Sequence, residues 1–230
     1  MEWYEEIDFD ENPFEIRTRM VGQENILDEA YYTIMSGNIL VIEGSQGTGK
    51  TKLLQEVVKK FGGKGRIVYL NGKNIEKALN IEGVVTKKNG FFGALFKKMP
   101  KNMILLLDDV EHISERNYER IKYLFDMNHL RAVIFATKDA NKLNFTESLN
   151  QRIRRTMDIE TLSDYEAVQV IREKLGNNCM NDRVIKETFH QSEKNMKKFL
   201  ENAETVCKAY VDNKELTEKD VPDILKKEGK

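Results

Sequence analysis

The segment GSQGTGKT, residues 44–51, constrains this chain more than any other. It satisfies G-x-x-x-x-G-K-[ST] through Gly44, Gly49, Lys50 and Thr51, with a further glycine at Gly47. The apolar run NILVIEG precedes it and the helical pattern KTKLLQEVVKKF follows, so the loop joins a buried strand to a helix. In such a turn successive backbone N–H groups converge on one concavity, and the helix N-terminus adds partial positive charge. That combination holds a polyphosphate, and glycines keep side chains out of its approach. The candidate cradle is Gly44, Ser45, Gln46, Gly47, Thr48, Gly49, Lys50 and Thr51. Lys50 is expected to reach the terminal phosphates, and the Thr51 hydroxyl to ligate a magnesium ion.

RIVYL, MILLLDD and RAVIFAT are further apolar runs, and RTMDI is a fifth candidate strand. Helical stretches lie between them, which predicts an α/β fold: a parallel sheet with helices on both faces. After residue 160 no strand candidate remains. Ser163 and Glu166 form a capping box, Gly176 ends that helix, and three more helical patterns run to the end. The expected organisation is therefore a nucleotide-binding domain at 1–160 followed by a small all-helical domain at 161–230.

MILLLDD supplies the second piece of chemistry. A buried strand ending in paired carboxylates can hold Asp108 beside the magnesium shell while Asp109 orients an attacking water. The rival reading is a solvated acidic turn ahead of a helix starting near Ser114.

Composition narrows the partners. The formal net charge of −1 gives the molecule no overall attraction to nucleic acid or anionic lipid, so any DNA contact needs a local patch. Cys179 and Cys207 lack C-x-x-C spacing and the three histidines are scattered, so free thiols in a reducing cytosol are expected rather than a zinc site. The acidic opening MEWYEEIDFDENPF is unlike a basic signal peptide, and no apolar run approaches a bilayer-spanning length. A cytoplasmic location without membrane partners is the expectation.

Taken together these segments resemble the AAA+ ATPases over nearly the whole chain. VGQE (21–24) is similar to the motif ahead of the nucleotide, GSQGTGKT to Walker A, MILLLDDVE to Walker B, and VIFATKD to the sensor 1 strand. SLNQRIRRTMDIETLSDYEA resembles the stretch carrying the arginine finger into the lid, SEKNMKKFL the sensor 2 segment, and ELTEKDVPDIL the last lid helix. The resemblance implies ATP with Mg2+ at a subunit boundary of an oligomer. It places sensor 1 at Thr137 or Lys138, the finger at Arg152 and sensor 2 at Lys197. By themselves, RIRR also reads as a solvated basic turn and KNMKK as an exposed helix face.

The chain departs from the family pattern where catalysis is most demanding. Walker B usually ends Asp-Glu; here Asp109 is a methylene shorter, and Glu111 follows two residues on. A misplacement of about 1 Å can cost about 100-fold in rate, so slow hydrolysis is consistent with this sequence. Sensor 1 commonly carries asparagine where Lys138 stands, and sensor 2 arginine where Lys197 stands. A lysine makes no bidentate fork.

The lid spacing is most similar to the initiator and clamp-loader branch, which implies a protein acting in DNA transactions such as replication. Three functions remain open: an oligomeric ATPase that loads or remodels a protein–DNA assembly, a slowly hydrolysing ATP-dependent regulatory switch, and a small-molecule phosphoryl transferase. The helical C-terminal part and Arg152 speak against the third. KKNGFFGALFKK (87–98) is read as core, with Phe91, Phe92 and Phe96 in a helix rather than a pore loop.

Overall fold

The computed structural model describes residues 2–64, 66–74, 80–87, 99–176 and 179–228. The segment read as a core helix, with Phe91, Phe92 and Phe96, lies outside the described residues.

Five strands form one parallel sheet: β1 (Ile39–Glu43), β2 (Ile67–Asn71), β3 (Met103–Asp108), β4 (Leu130–Thr137) and β5 (Ile153–Asp158). Their order across the sheet is β2-β3-β4-β1-β5. Successive side chains of a strand point to opposite faces. β3 is buried at every position, so both of its faces are covered, as the continuous apolar run requires. The edge strand β5 is exposed through Arg154, Arg155 and Thr156; both arginines pair with Glu29, and such charges blunt an open edge.

Among the described residues of this unit the α-helices are α1 (Glu24–Ser36), α2 (Lys50–Phe61), α3 (Ile81–Lys87), α4 (Glu115–Asp126) and the single turn α5 (Glu147–Asn150). α1 ends where Gly37 takes a left-handed conformation, φ 77°. The core gathers Val41, Leu105, Leu107, Tyr118 and Phe135 around the central strands.

The second unit is helical: α6 (Asp164–Leu175), α7 (Asp182–Gln191), α8 (Met196–Asp212) and α9 (Val221–Glu228). The capping box read from Ser163 and Glu166 starts α6, and Gly176 caps its end. Asn181 caps α7 and Asn195 caps α8 through their side-chain oxygens. Val168, Ile171, Phe189, Phe199 and Val206 form its core.

By contacts this unit also contains Met1–Gly22 and Gln46–Gly49, whereas a cut at residue 160 assigns both segments to the first domain. The reason for the first is Lys174, a buried lysine whose ammonium donates to the carbonyls of Pro13 (3.3 Å), Phe14 (3.0 Å) and Ile16 (2.8 Å). Trp3, Ile7, Phe14 and Val21 add apolar contacts with the helical core.

Candidate functional site

β1 delivers the chain to Gly44, and α2 begins at Lys50. Between them Gly47 (φ 85°) and Gly49 (φ 107°) adopt left-handed conformations that side chains resist. Lys50 is buried, and its ammonium donates to the carbonyl of Gly44 and, at 2.7 Å, to that of Ser45. Burial pushes the Lys50 pKa below its ordinary value against the opposing pull of Asp108, Asp109 and Glu111. The loop tip Gln46–Gly49 clusters with the helical unit: the Asn195 amide donates to Gln46 O at 2.9 Å and Met196 N–H to Gly47 O at 3.1 Å.

Thr51, the second residue of α2, donates its hydroxyl to Asp108 Oδ2 at 2.7 Å. Asp108 closes β3 and is 1% exposed. It accepts two further hydrogen bonds, from the Tyr69 hydroxyl at 2.9 Å and from the backbone N–H of Asp109 at 3.1 Å. Burial first, and then the Asp108 charge, push the Tyr69 pKa up to about 12, which keeps it a donor.

Asp109 sits in the left-handed region, φ 50° and ψ 52°. Its carboxylate accepts from Asn71 Nδ2 at 3.2 Å and pairs with Lys73 Nζ at 3.0 Å. Burial alone would raise its pKa; the hydrogen bonds from Lys73 and Asn71 outweigh it and hold the carboxyl below its usual value. The approach of these partners depends on Gly72, where a Cβ would stand 2.1 Å from the Asp109 carbonyl oxygen.

Glu111 turns the other way. It accepts from the Thr137 hydroxyl at 3.0 Å and from the backbone N–H of Lys138 at the tip of β4. Burial opposes ionisation, but these donors outweigh it and hold Glu111 below its ordinary value.

The sheet unit therefore brings Lys50, Thr51, Asp108, Asp109, Glu111, Thr137 and Lys138 to the C-terminal ends of its strands, where ligands of open parallel sheets bind. Arg152 is not among them. β5 runs from Ile153 beside Ile39 to Asp158 beside Glu43, so Arg152 stands at the opposite end of the sheet. There it is partly exposed and pairs with Asp126 at 3.1 Å. Lys197, in the helical unit, is 81% exposed and lies 3.8 Å from Glu201, one turn along α8.

Sequence reasoning missed Tyr69, Asn71 and Lys73. Their signal becomes readable once β2 is placed beside β3, because the register then sets Asn71 next to Asp108.

Fold and loop together define a P-loop nucleotide-binding domain carrying a helical companion. The AAA domain family matches residues 36–168, more than half of the chain, and the chain belongs to that family. In fold it is similar to Cdc6p from Pyrobaculum aerophilum, with 14% identity and a TM-score of 0.71 over 89% of this chain and 67% of that one. The Aeropyrum pernix ORC1 protein, solved in complex with DNA, gives 10% identity and 0.70 over 92% and 66%. Domain III of the Thermotoga maritima replication initiation protein DnaA gives 18% and 0.64 over 93% and 95%. In sequence it is 26% identical over 150 residues to the xylose import ATP-binding protein XylG of Thermoanaerobacter pseudethanolicus, 64% of this chain. The chain spans only 29% of that protein's length. Among the described residues no helix is long and apolar enough to cross a membrane.

Proposed function

We propose that this chain is an ATP-hydrolysing subunit of a cytoplasmic oligomer that loads or remodels a protein–DNA assembly, with residues 161–230 as its lid. The observation that carries the ATP site is the 2.7 Å contact between Thr51 Oγ1 and the buried Asp108 carboxylate at the mouth of the glycine loop. A hydroxyl and a carboxylate side by side are hard oxygen donors, the chemistry that suits Mg2+. Thr51 and Asp108 would hold that ion, which when bound neutralises charge on the phosphate oxygens. Lys50 would exchange its loop carbonyls for the terminal phosphates. Glu111, tied to Thr137 and the Lys138 backbone, and Asp109 are the two carboxylates available to orient water.

Arg152 stands at the far end of the sheet from its own loop, which supports a role on a neighbouring subunit's nucleotide. Lys197 would serve the lid. The DNA part of the reading rests on fold likeness to the ORC1 protein solved in complex with DNA and to domain III of the replication initiation protein DnaA. Arg152→Ala should leave ATP binding by the isolated subunit intact and lower hydrolysis by the assembly. Mixing it with Lys50→Ala should restore part of the activity, since one kind of interface then pairs an intact loop with an intact finger. Strictly monomeric behaviour with ATP, or equal loss of binding and hydrolysis in Arg152→Ala, overturns the reading.

A second reading, the slowly hydrolysing switch, is favoured by one observation: Asp109 is held by Lys73 and Asn71 rather than left free. ATPase assays with and without DNA separate the two. Stimulation by DNA supports the loader, and a slow rate indifferent to DNA but coupled to partner affinity supports the switch.

A further inference from the structure

Two thiols that sequence spacing leaves unrelated meet inside the helical unit. Cys179, just ahead of α7, and Cys207, on α8, place their sulfurs 3.2 Å apart, and both residues are buried. A disulfide needs about 2.05 Å between sulfurs, so closing the gap takes a movement of roughly 1 Å. Residues 179–182 are fixed from the outside. The Arg172 guanidinium donates to the carbonyls of Gly176 (3.3 Å), Cys179 (2.8 Å) and Met180 (3.0 Å) and pairs with Asp182. On the other side, Cys207 follows Phe199, Ala203 and Val206 along the buried stripe of α8. Neither thiol is used by the candidate nucleotide site.

We propose that Cys179 and Cys207 are a reversible oxidation site, closing to an intramolecular disulfide when the chain meets a peroxide. The Cys179 thiolate attacks one peroxide oxygen, the O–O bond breaks, and Cys179 becomes a sulfenic acid. The Cys207 sulfur then attacks the Cys179 sulfur; the S–S bond forms, the S–O bond breaks, and the departing hydroxide takes the Cys207 proton. Overall two thiols lose two electrons and two protons, and hydrogen peroxide becomes two waters. Cys179 is the attacking partner because the hydrogen bond from Cys207, helped by the Met180 N–H and Arg172, lowers its pKa. Cys207 is pushed up by that same hydrogen bond and by burial, and acts second.

The bond would staple the start of α7 to α8, whose N-cap Asn195 and first residue Met196 contact the tip of the glycine loop. It would close a loop spanning 28 positions, which constrains the unfolded chain.

The test uses the full chain, reduced and then treated with hydrogen peroxide, with catalase added to stop the reaction. Thiols titrated in denaturant should fall from two to near zero, and the intact mass should fall by about 2 Da without dimers on a non-reducing gel. Dithiothreitol should restore both thiols, and a tryptic map should show the Cys179 and Cys207 peptides joined. Cys179→Ser and Cys207→Ser should each abolish the mass loss. Retention of both thiols, a mass gain from sulfinic acid, or joined dimers would each overturn the proposal, and none requires a variant to fold.

Discussion

Lys73 offers the sharpest perturbation at this site, because it holds Asp109, one of the two carboxylates proposed to orient the attacking water. The Lys73–Asp109 contact is 3.0 Å, with the lysine 51% exposed and the aspartate 15%. A sheltered hydrogen bond to a charge contributes about 1.5–3 kcal/mol. Solvent screening of a half-exposed lysine reduces that to about 1 kcal/mol. The Asn71 hydrogen bond persists, so Lys73→Met releases Asp109 only in part. At about 1.4 kcal/mol per tenfold, 1 kcal/mol raises the population of unlatched Asp109 roughly fivefold. If Asp109 orients the water, phosphate release at saturating ATP should rise by about that factor, with ATP affinity unchanged. Adding Asp109→Asn should remove the gain. Turnover in Lys73→Met at or below the parent rate, with binding intact, would refute the latch and leave Glu111 as the carboxylate to vary.

Gly72→Ala forces a Cβ against the Asp109 carbonyl, 2.1 Å away, and should cost about 2 kcal/mol, read as a fall in Tm of roughly 4–8 °C. Lys174→Met strands three carbonyls of the N-terminal segment, and limited proteolysis should then cut within residues 2–22 well before the rest of the chain. Asp109 and Glu111 both ionise below their ordinary values in the folded chain. Their stabilisation is therefore complete above the ordinary carboxylate range and lost as pH falls through the depressed folded values. The urea midpoint should drop between about pH 5 and pH 3, and a flat midpoint there contradicts the assignment.

The glycine loop, the five strands and the capping box at Ser163 were legible because each is a local pattern: a spacing, an apolar run, or a residue pair within one turn. Asp108 was legible for the same reason, as the polar end of a wholly apolar strand. What the sequence hid is what chain crossing creates. Tyr69, Asn71 and Lys73 meet the acidic pair only because β2 lies beside β3. Glu111 meets Thr137 because β4 is the other neighbour of β3. Lys174, on one helix among several lysine-bearing patterns, gives no sign that its ammonium is buried among carbonyls 158 to 161 positions away. The thiol pair is hidden likewise, since a separation of 28 positions carries no periodic signal that would pair Cys179 with Cys207.

The central claim is that residues 44–51 hold the phosphates of ATP, and calorimetric titration of Lys50→Ala with Mg-ATP tests it most directly. Far-UV circular dichroism should first show that the variant keeps its fold, since the Lys50 ammonium also closes the loop on Gly44 and Ser45. Removing a buried ammonium that backbone donors cannot replace should weaken ATP binding by at least about tenfold, or abolish it. A folded Lys50→Ala chain that binds ATP with the parental affinity would contradict the account.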